Sequence, residues 1–136
     1  MNVFLDTNIV IDYIFEREKF FEPAAKVIAR SLQELDMIYT SVLTFVTTLY
    51  VSKQYDKSAE QTKDSLKRLV KFINVVDLTG ENVIDNLSKD WKDYEDSTQY
   101  SCAIDCNADV ILTRNRNDFR KSNIPVMTPQ EYLLSL

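Results

Sequence analysis

The sequence predicts an α/β domain in three α/β/α layers, with helices on both faces of a central, mainly parallel sheet of about five strands. Short apolar runs recur along the chain, too short for helices and too continuous for strands with one wet face. Stretches with apolar residues at helical spacing separate these runs, so strand and helix alternate as they do in a parallel sheet joined by crossovers. Size agrees: 136 residues fit one domain, residues 1–136, and leave little for a second core.

The first run, Val3 to Leu5, is stopped by Asp6 before apolar residues resume. Pro23, tolerated in a first helical turn, precedes the stripe Ala24, Val27, Ile28, Leu32 and Leu35. The second run is Met37 to Tyr39, and Ser41 then opens the stripe Val42, Phe45, Val46, Leu49 and Tyr50. Ser58, with Gln61 three residues on, makes a capping-box pattern ahead of Leu66, Leu69 and Val70. Ile73 to Val76 is the third run, after which Thr79 starts the helical pattern Val83, Ile84, Leu87 and Trp91. A helix from Tyr94 to Cys106 begins behind Asp93, and Val110 to Leu112 and Pro125 to Met127 form the last two runs. The final helix has a defined start: Thr128 as cap, Pro129 at the first position and Glu131 three residues beyond the cap.

Composition excludes several classes of chemistry. With 45% hydrophobic and 27% charged residues and no run of 18 apolar residues, the chain can bury a core and cannot span a bilayer as a helix. No basic segment precedes the first apolar run, so a soluble, cytoplasmic protein is expected. There is no histidine, which removes every His-dependent triad and His general base. A single glycine, Gly80, leaves no phosphate-cradling loop or dinucleotide fingerprint. Cys102 and Cys106, four apart, suit one apolar helix face, and a zinc site would need more soft ligands than they supply. The remaining tools are carboxylates, hydroxyls, amides, Lys and Arg.

In a parallel sheet, ligands bind beyond the carboxyl ends of the strands. The first run delivers Asp6 to that edge, and helices that follow or precede strands bring their first turns to it. Asp96 stands in the first turn of the helix opened by Asp93, and Asp118 follows the run Val110 to Leu112 in TRNRNDF. Each acid has a plainer explanation: Asp6 as a helix cap, Asp96 as an acid favoured at a helix N-terminus, Asp118 as a solvated charge. Their common edge favours convergence, and converging carboxylates without basic partners call for a divalent cation.

On these residues the chain resembles the PIN-domain ribonucleases, especially the small stand-alone type typified by VapC toxins. The likeness lies in FLDTNIVIDY, TSVLTFVTTLY, DYEDSTQY and ADVILTRNRNDF, and it runs over nearly the whole chain. It implies an acidic cluster that binds Mg²⁺ or Mn²⁺ and cleaves RNA, with Asp6, Asp96 and Asp118 as its catalytic, metal-binding acids. Thr7, Asn8, Thr113 and Asn115 look like the neutral polar residues that orient ligands around such a site. The family often forms homodimers and, as toxins, binds an antitoxin protein; the helical pair Phe20 to Leu35 and Ser41 to Lys53 is the expected surface. One departure is clear: where many members carry a glutamate in the helix after the second strand, this chain has Thr47.

The formal charge of −5 sets solubility and steering more than local contacts. Arg114, Arg116, Arg120 and Lys121 lie close to the proposed metal edge and are expected to contact RNA phosphates; a solvated turn is the alternative. Two other classes stay open. A catalytically silent PIN-like module that binds RNA or protein is favoured by Thr47. A phosphoaspartyl enzyme or receiver domain also ends its first strand in Asp, but Asn8 stands where the phosphatase needs a second Asp, and Arg114 where the receiver needs Lys.

Overall fold

The computed structural model describes all 136 residues. Five strands, β1 (Asn2–Leu5), β2 (Met37–Ser41), β3 (Asn74–Val76), β4 (Val110–Leu112) and β5 (Val126–Met127), form one sheet. Its order is β3-β2-β1-β4-β5, and every neighbouring pair is parallel. Seven helices connect or flank them: α1 (Thr7–Ile14), α2 (Phe21–Leu32), α3 (Val42–Tyr50), α4 (Ala59–Leu69), α5 (Gly80–Asn86), α6 (Tyr94–Asp105) and α7 (Pro129–Leu134). Short 3-10 turns lie at Ser52–Tyr55 and Arg116–Phe119. No helix is long and apolar enough to cross a membrane.

Because strand side chains alternate between faces, the apolar runs supply two cores at once. Val3 and Leu5, with Ile38, Val110 and Leu112, pack against α1, α2, α4 and Tyr132 of α7. Phe4 and Ile111 point the other way, onto Cys102 and Ala103 of α6 and onto Phe119. Burial raises the Cys102 thiol to about 12 and the Cys106 thiol to about 11. Both are free, and both stay protonated and inert at neutral pH.

The caps follow the sequence pattern closely. Ser41, Thr79 and Asp93 each accept from a backbone N–H in the first turn, and Ser58 with Gln61 and Thr128 with Glu131 close reciprocal capping boxes. With one glycine available, the left-handed positions that follow helical segments fall to Glu16, Glu34, Asp56 and Asn107. The resumed apolar run after Asp6 is a helix, α1, whose Ile9 and Val10 enter the core. Two details differ from expectation. Leu35 lies beyond the end of α2, in the turn where Glu34 takes a positive φ. Trp91 lies outside α5, which stops at Asn86, and sits in the connection to α6.

Strand order places the functional edge. From β1 the chain runs outward through β2 to β3, then returns to place β4 on the other side of β1. The direction of winding therefore reverses between β1 and β4, where an open parallel sheet leaves a crevice at its carboxyl edge. Leu5 is in register with Leu112, so the next residues, Asp6 and Thr113, leave the sheet side by side.

Candidate active site

Asp6 is almost completely buried at that crevice, and both of its oxygens are held. Oδ1 accepts from the Thr7 backbone N–H at 2.8 Å, and Oδ2 accepts from the Thr113 hydroxyl at 2.8 Å. Its own backbone N–H donates to the Leu112 carbonyl at 2.9 Å, which locks the residue to β4. The cap reading of Asp6 holds: its carboxylate starts α1 at the carboxyl end of β1. Burial pushes its carboxyl up to about 6 against the pull of the Thr113 and Thr7 hydrogen bonds, with Glu95 adding repulsion.

The sequence-derived polar residues gather around this carboxylate. Asn8 donates from Nδ2 to the Thr113 hydroxyl at 3.4 Å and accepts the Arg114 N–H at 3.4 Å. The Asn115 N–H donates to the Thr113 hydroxyl at 3.1 Å, while the residue itself is exposed. Beneath them Gln99 of α6 donates to the hydroxyls of Thr7 at 2.8 Å and Thr44 at 3.1 Å, and Ser41 donates to its carbonyl oxygen. Thr7 and Thr44 are themselves 3.0 Å apart. This buried polar layer joins α1, α3 and α6 below the acid, and no buried side-chain polar atom lacks a partner.

Asp96 and Asp118 line a cleft of about 670 Å³, whose lining does not include Asp6. Burial first, then the charges of Asp6, Asp93, Asp118 and Glu95, raise Asp96 to about 7. Glu95 is raised by burial and by Asp93, against a hydrogen bond from Thr7. None of Asp6, Asp93, Glu95, Asp96 or Asp118 has a Lys or Arg partner. The acids share one field without closing a cage, for no three acidic or thiol side chains stand close enough to hold one ion. That donor set fits a hard divalent cation that keeps part of its water and takes remaining ligands from a phosphate, as Mg²⁺ does.

Sequence reasoning missed four residues here. Glu95 was legible as a second acid in the first turn of α6, and Gln99 as its neighbour one turn on. Thr44 lay on the same helix face as Thr47, three residues earlier. Asp12 carried no local signal, although it is only 1% exposed. It binds Arg114 through Nε at 2.8 Å and Nη2 at 3.3 Å, and Arg17 through Nη1 at 3.2 Å.

The basic residues scatter. Arg114, expected among the phosphate contacts, is instead committed to Asp12, with its guanidinium 4.3 Å from the Phe20 ring centroid. Arg116 pairs with Glu131 at 3.3 Å and Lys121 with Asp90 at 2.9 Å. Arg120 has no acidic partner and lines the cleft, as does Lys121. Thr47 is partly exposed on α3 and makes no side-chain hydrogen bond.

A family model described as "PIN domain" matches residues 2–117 of the chain. No curated protein matches the sequence significantly. Among solved structures, VapBC2 from Rickettsia felis, bound to a DNA fragment from its promoter, is similar at TM-score 0.67 and 18% identity, covering 93% of this chain and 97% of that one. VapBC-1 from nontypeable Haemophilus influenzae gives TM-score 0.65 and 21% identity, covering 96% of this chain and 99% of that one. VapC20 of Mycobacterium tuberculosis, a toxin that cleaves the sarcin-ricin loop, gives TM-score 0.63 and 13% identity, covering 80% and 86%.

Proposed function

Because the chain belongs to the PIN-domain family, we propose that it is a divalent-metal-dependent endoribonuclease that serves as the toxin of a toxin–antitoxin pair. The observation that carries this reading is the set of uncompensated acids, Asp6, Asp96 and Asp118, around the crevice between β1 and β4. Asp6, fixed by Thr7 and Thr113, would be the central ligand for Mg²⁺ or Mn²⁺, and Asp96 and Asp118 would hold a second ion or a metal-bound water. When bound, the metal supplies a water of lowered pKa and a charge that stabilises the developing phosphate anion. The protein's share is orientation: Thr113 and the Thr7 N–H keep the Asp6 oxygens aimed, and the Gln99 layer keeps α1, α3 and α6 in register beneath them. Arg120 and Lys121, which line the cleft, would meet RNA phosphates, Lys121 after release from Asp90, and Arg116 would join them only on leaving Glu131.

Labelled RNA incubated with Mn²⁺, with Mg²⁺ or with chelator tests this directly. Cleavage with either metal and none in chelator is expected. Binding without cleavage under all three conditions would replace the enzyme with the silent PIN-like module, the reading that the neutral Thr47 favours.

Two further outcomes follow from the site. A divalent ion needs ionised carboxylates, and Asp6 and Asp96 lose their protons only near 6 and 7. Mn²⁺ affinity measured by calorimetry should therefore climb as pH rises from 5 to about 7, by about tenfold per pH unit for each proton displaced, and level off above. A flat profile would show that these acids do not hold the ion. Thr47→Glu supplies the carboxylate that many family members carry, on the face of α3 that Thr44 turns to Thr7 and Gln99. It should tighten Mn²⁺ binding by about tenfold; unchanged affinity would show that position 47 lies out of reach of the ion.

An antitoxin partner is part of the same proposal. Two of the structures that resemble this chain, VapBC2 and VapBC-1, are of VapBC rather than of VapC alone. On the expected α2–α3 surface, Leu32, Leu35, Val46 and Tyr50 are exposed apolar residues, with Tyr50 85% exposed. A homodimer is the other occupant proposed for that surface, and sedimentation of the purified protein with and without the partner separates them.

A further inference from the structure

We infer that Trp91 forms a nucleobase subsite of the acidic cleft, taking an unpaired base of single-stranded RNA beside the acids; this rests on the ribonuclease reading above. Trp91 is the one hydrophobic residue among those lining the cleft. Asp96 and Asp118 line the same space, together with Lys92 and Arg120. Neither of those two cations has an acidic partner.

The indole is held in place by other rings. Its centroid lies 5.0 Å from Tyr100 with the planes tilted by 32°, and 5.9 Å from Phe119 in an edge-on arrangement. Phe119 is buried in the second core and directly follows Asp118, so the aromatic wall and the acid are tied through one peptide unit. Trp91 nevertheless remains partly exposed toward the cleft. An aromatic surface already ordered by its neighbours loses little freedom when a base packs on it. Stacking of this kind accepts any base, since each has a π-face, and a base inside a duplex has both faces covered. The chemistry thus selects single-stranded RNA or an unpaired loop nucleotide, with Lys92 and Arg120 meeting the flanking phosphates.

Trp91 is the chain's one tryptophan, so its fluorescence reads the subsite without modification of the protein. An oligoribonucleotide of about five residues, the span of a small single-strand site, is titrated into the protein in chelator and in Mg²⁺. Quenching by the single strand is expected, with none from an abasic oligomer of the same phosphate number or from a blunt RNA duplex. In cleavage assays Trp91→Leu should raise KM about tenfold or more, whereas Trp91→Phe, which keeps an aromatic ring, should stay within about threefold of the parent. Equal quenching by the abasic oligomer, or a wild-type KM in the folded Trp91→Leu chain, overturns the subsite. If the single strand quenches but no metal supports cleavage, the subsite stands and the ribonuclease reading falls. If RNA is cleaved while the fluorescence stays unmoved, the reverse holds.

Discussion

An Asp6→Asn variant should lose metal-dependent RNA cleavage by at least about 10²–10³-fold, the scale on which removing one preorganised electrostatic group acts, and yet be more stable than the parent. The two effects share a cause. In the folded, metal-free protein the Asp6 carboxyl titrates near 6, above its ordinary 3.8, because burial penalises its charge more than its two hydrogen bonds reward it. A raised carboxyl costs nothing below its unfolded value, costs progressively more between 3.8 and 6, and its full amount above 6. At about 1.4 kcal/mol for each tenfold shift, the full amount is about 3 kcal/mol at neutral pH. Asparagine keeps the shape and the acceptor for the Thr7 N–H and removes the charge, while losing the acceptor for the Thr113 hydroxyl offsets about 1 kcal/mol of the gain. In chelator, the parent's melting temperature should therefore fall as pH rises through 4 to 6, and the variant should escape that component of the fall. Saturating Mn²⁺ should restore the parent and leave the variant unmoved. Retained metal-dependent cleavage in the variant would remove Asp6 from the centre of the site.

Asp12→Ala should destabilise the fold by about 2–3 kcal/mol, less than for a fully buried pair because the guanidinium groups left behind are partly exposed. The physical reason is asymmetry: the pair itself contributes little beyond offsetting desolvation, but removing one member strands the other. Asp12 is 1% exposed and receives three guanidinium bonds from Arg17 and Arg114. Arg114 is only partly exposed and packed over Phe20, so its charge would lose the partner that compensates it. A melting temperature lower by roughly 10 °C is expected for a chain of this size. Asp12→Asn, which keeps acceptors for the guanidinium, should lose less. A shift under about 3 °C in the Ala variant would show that water reaches Arg114 easily and that the pair behaves as a surface contact.

Much of this molecule was legible from local patterns. Five apolar runs became five strands, and the caps at Ser41, Ser58, Thr79, Asp93 and Thr128 started the helices expected of them. These signals are local: a cap satisfies N–H groups within four residues, and a buried strand declares itself by continuous apolarity. The setting of Trp91 and the ion pair of Arg114 were not legible, for the opposite reason. Helical spacing assigned Trp91 to α5, but Tyr100 and Phe119, distant in sequence, hold it in the following loop. Its place in TRNRNDF, near the proposed metal edge, suggested a phosphate contact for Arg114, but its partner Asp12 is 102 residues away.

By itself the sequence determined the layered α/β class, the ends of most elements and which three acids stand at strand ends and first turns, because each depends on residues within a few positions of one another. Only the tertiary structure decided that β4 lies beside β1 and reverses the winding there, which brings Thr113 to Asp6 and opens the crevice. It alone decided which charges are free. Strand order and charge pairing are settled by packing and desolvation between segments far apart in the chain, and no local pattern encodes that competition.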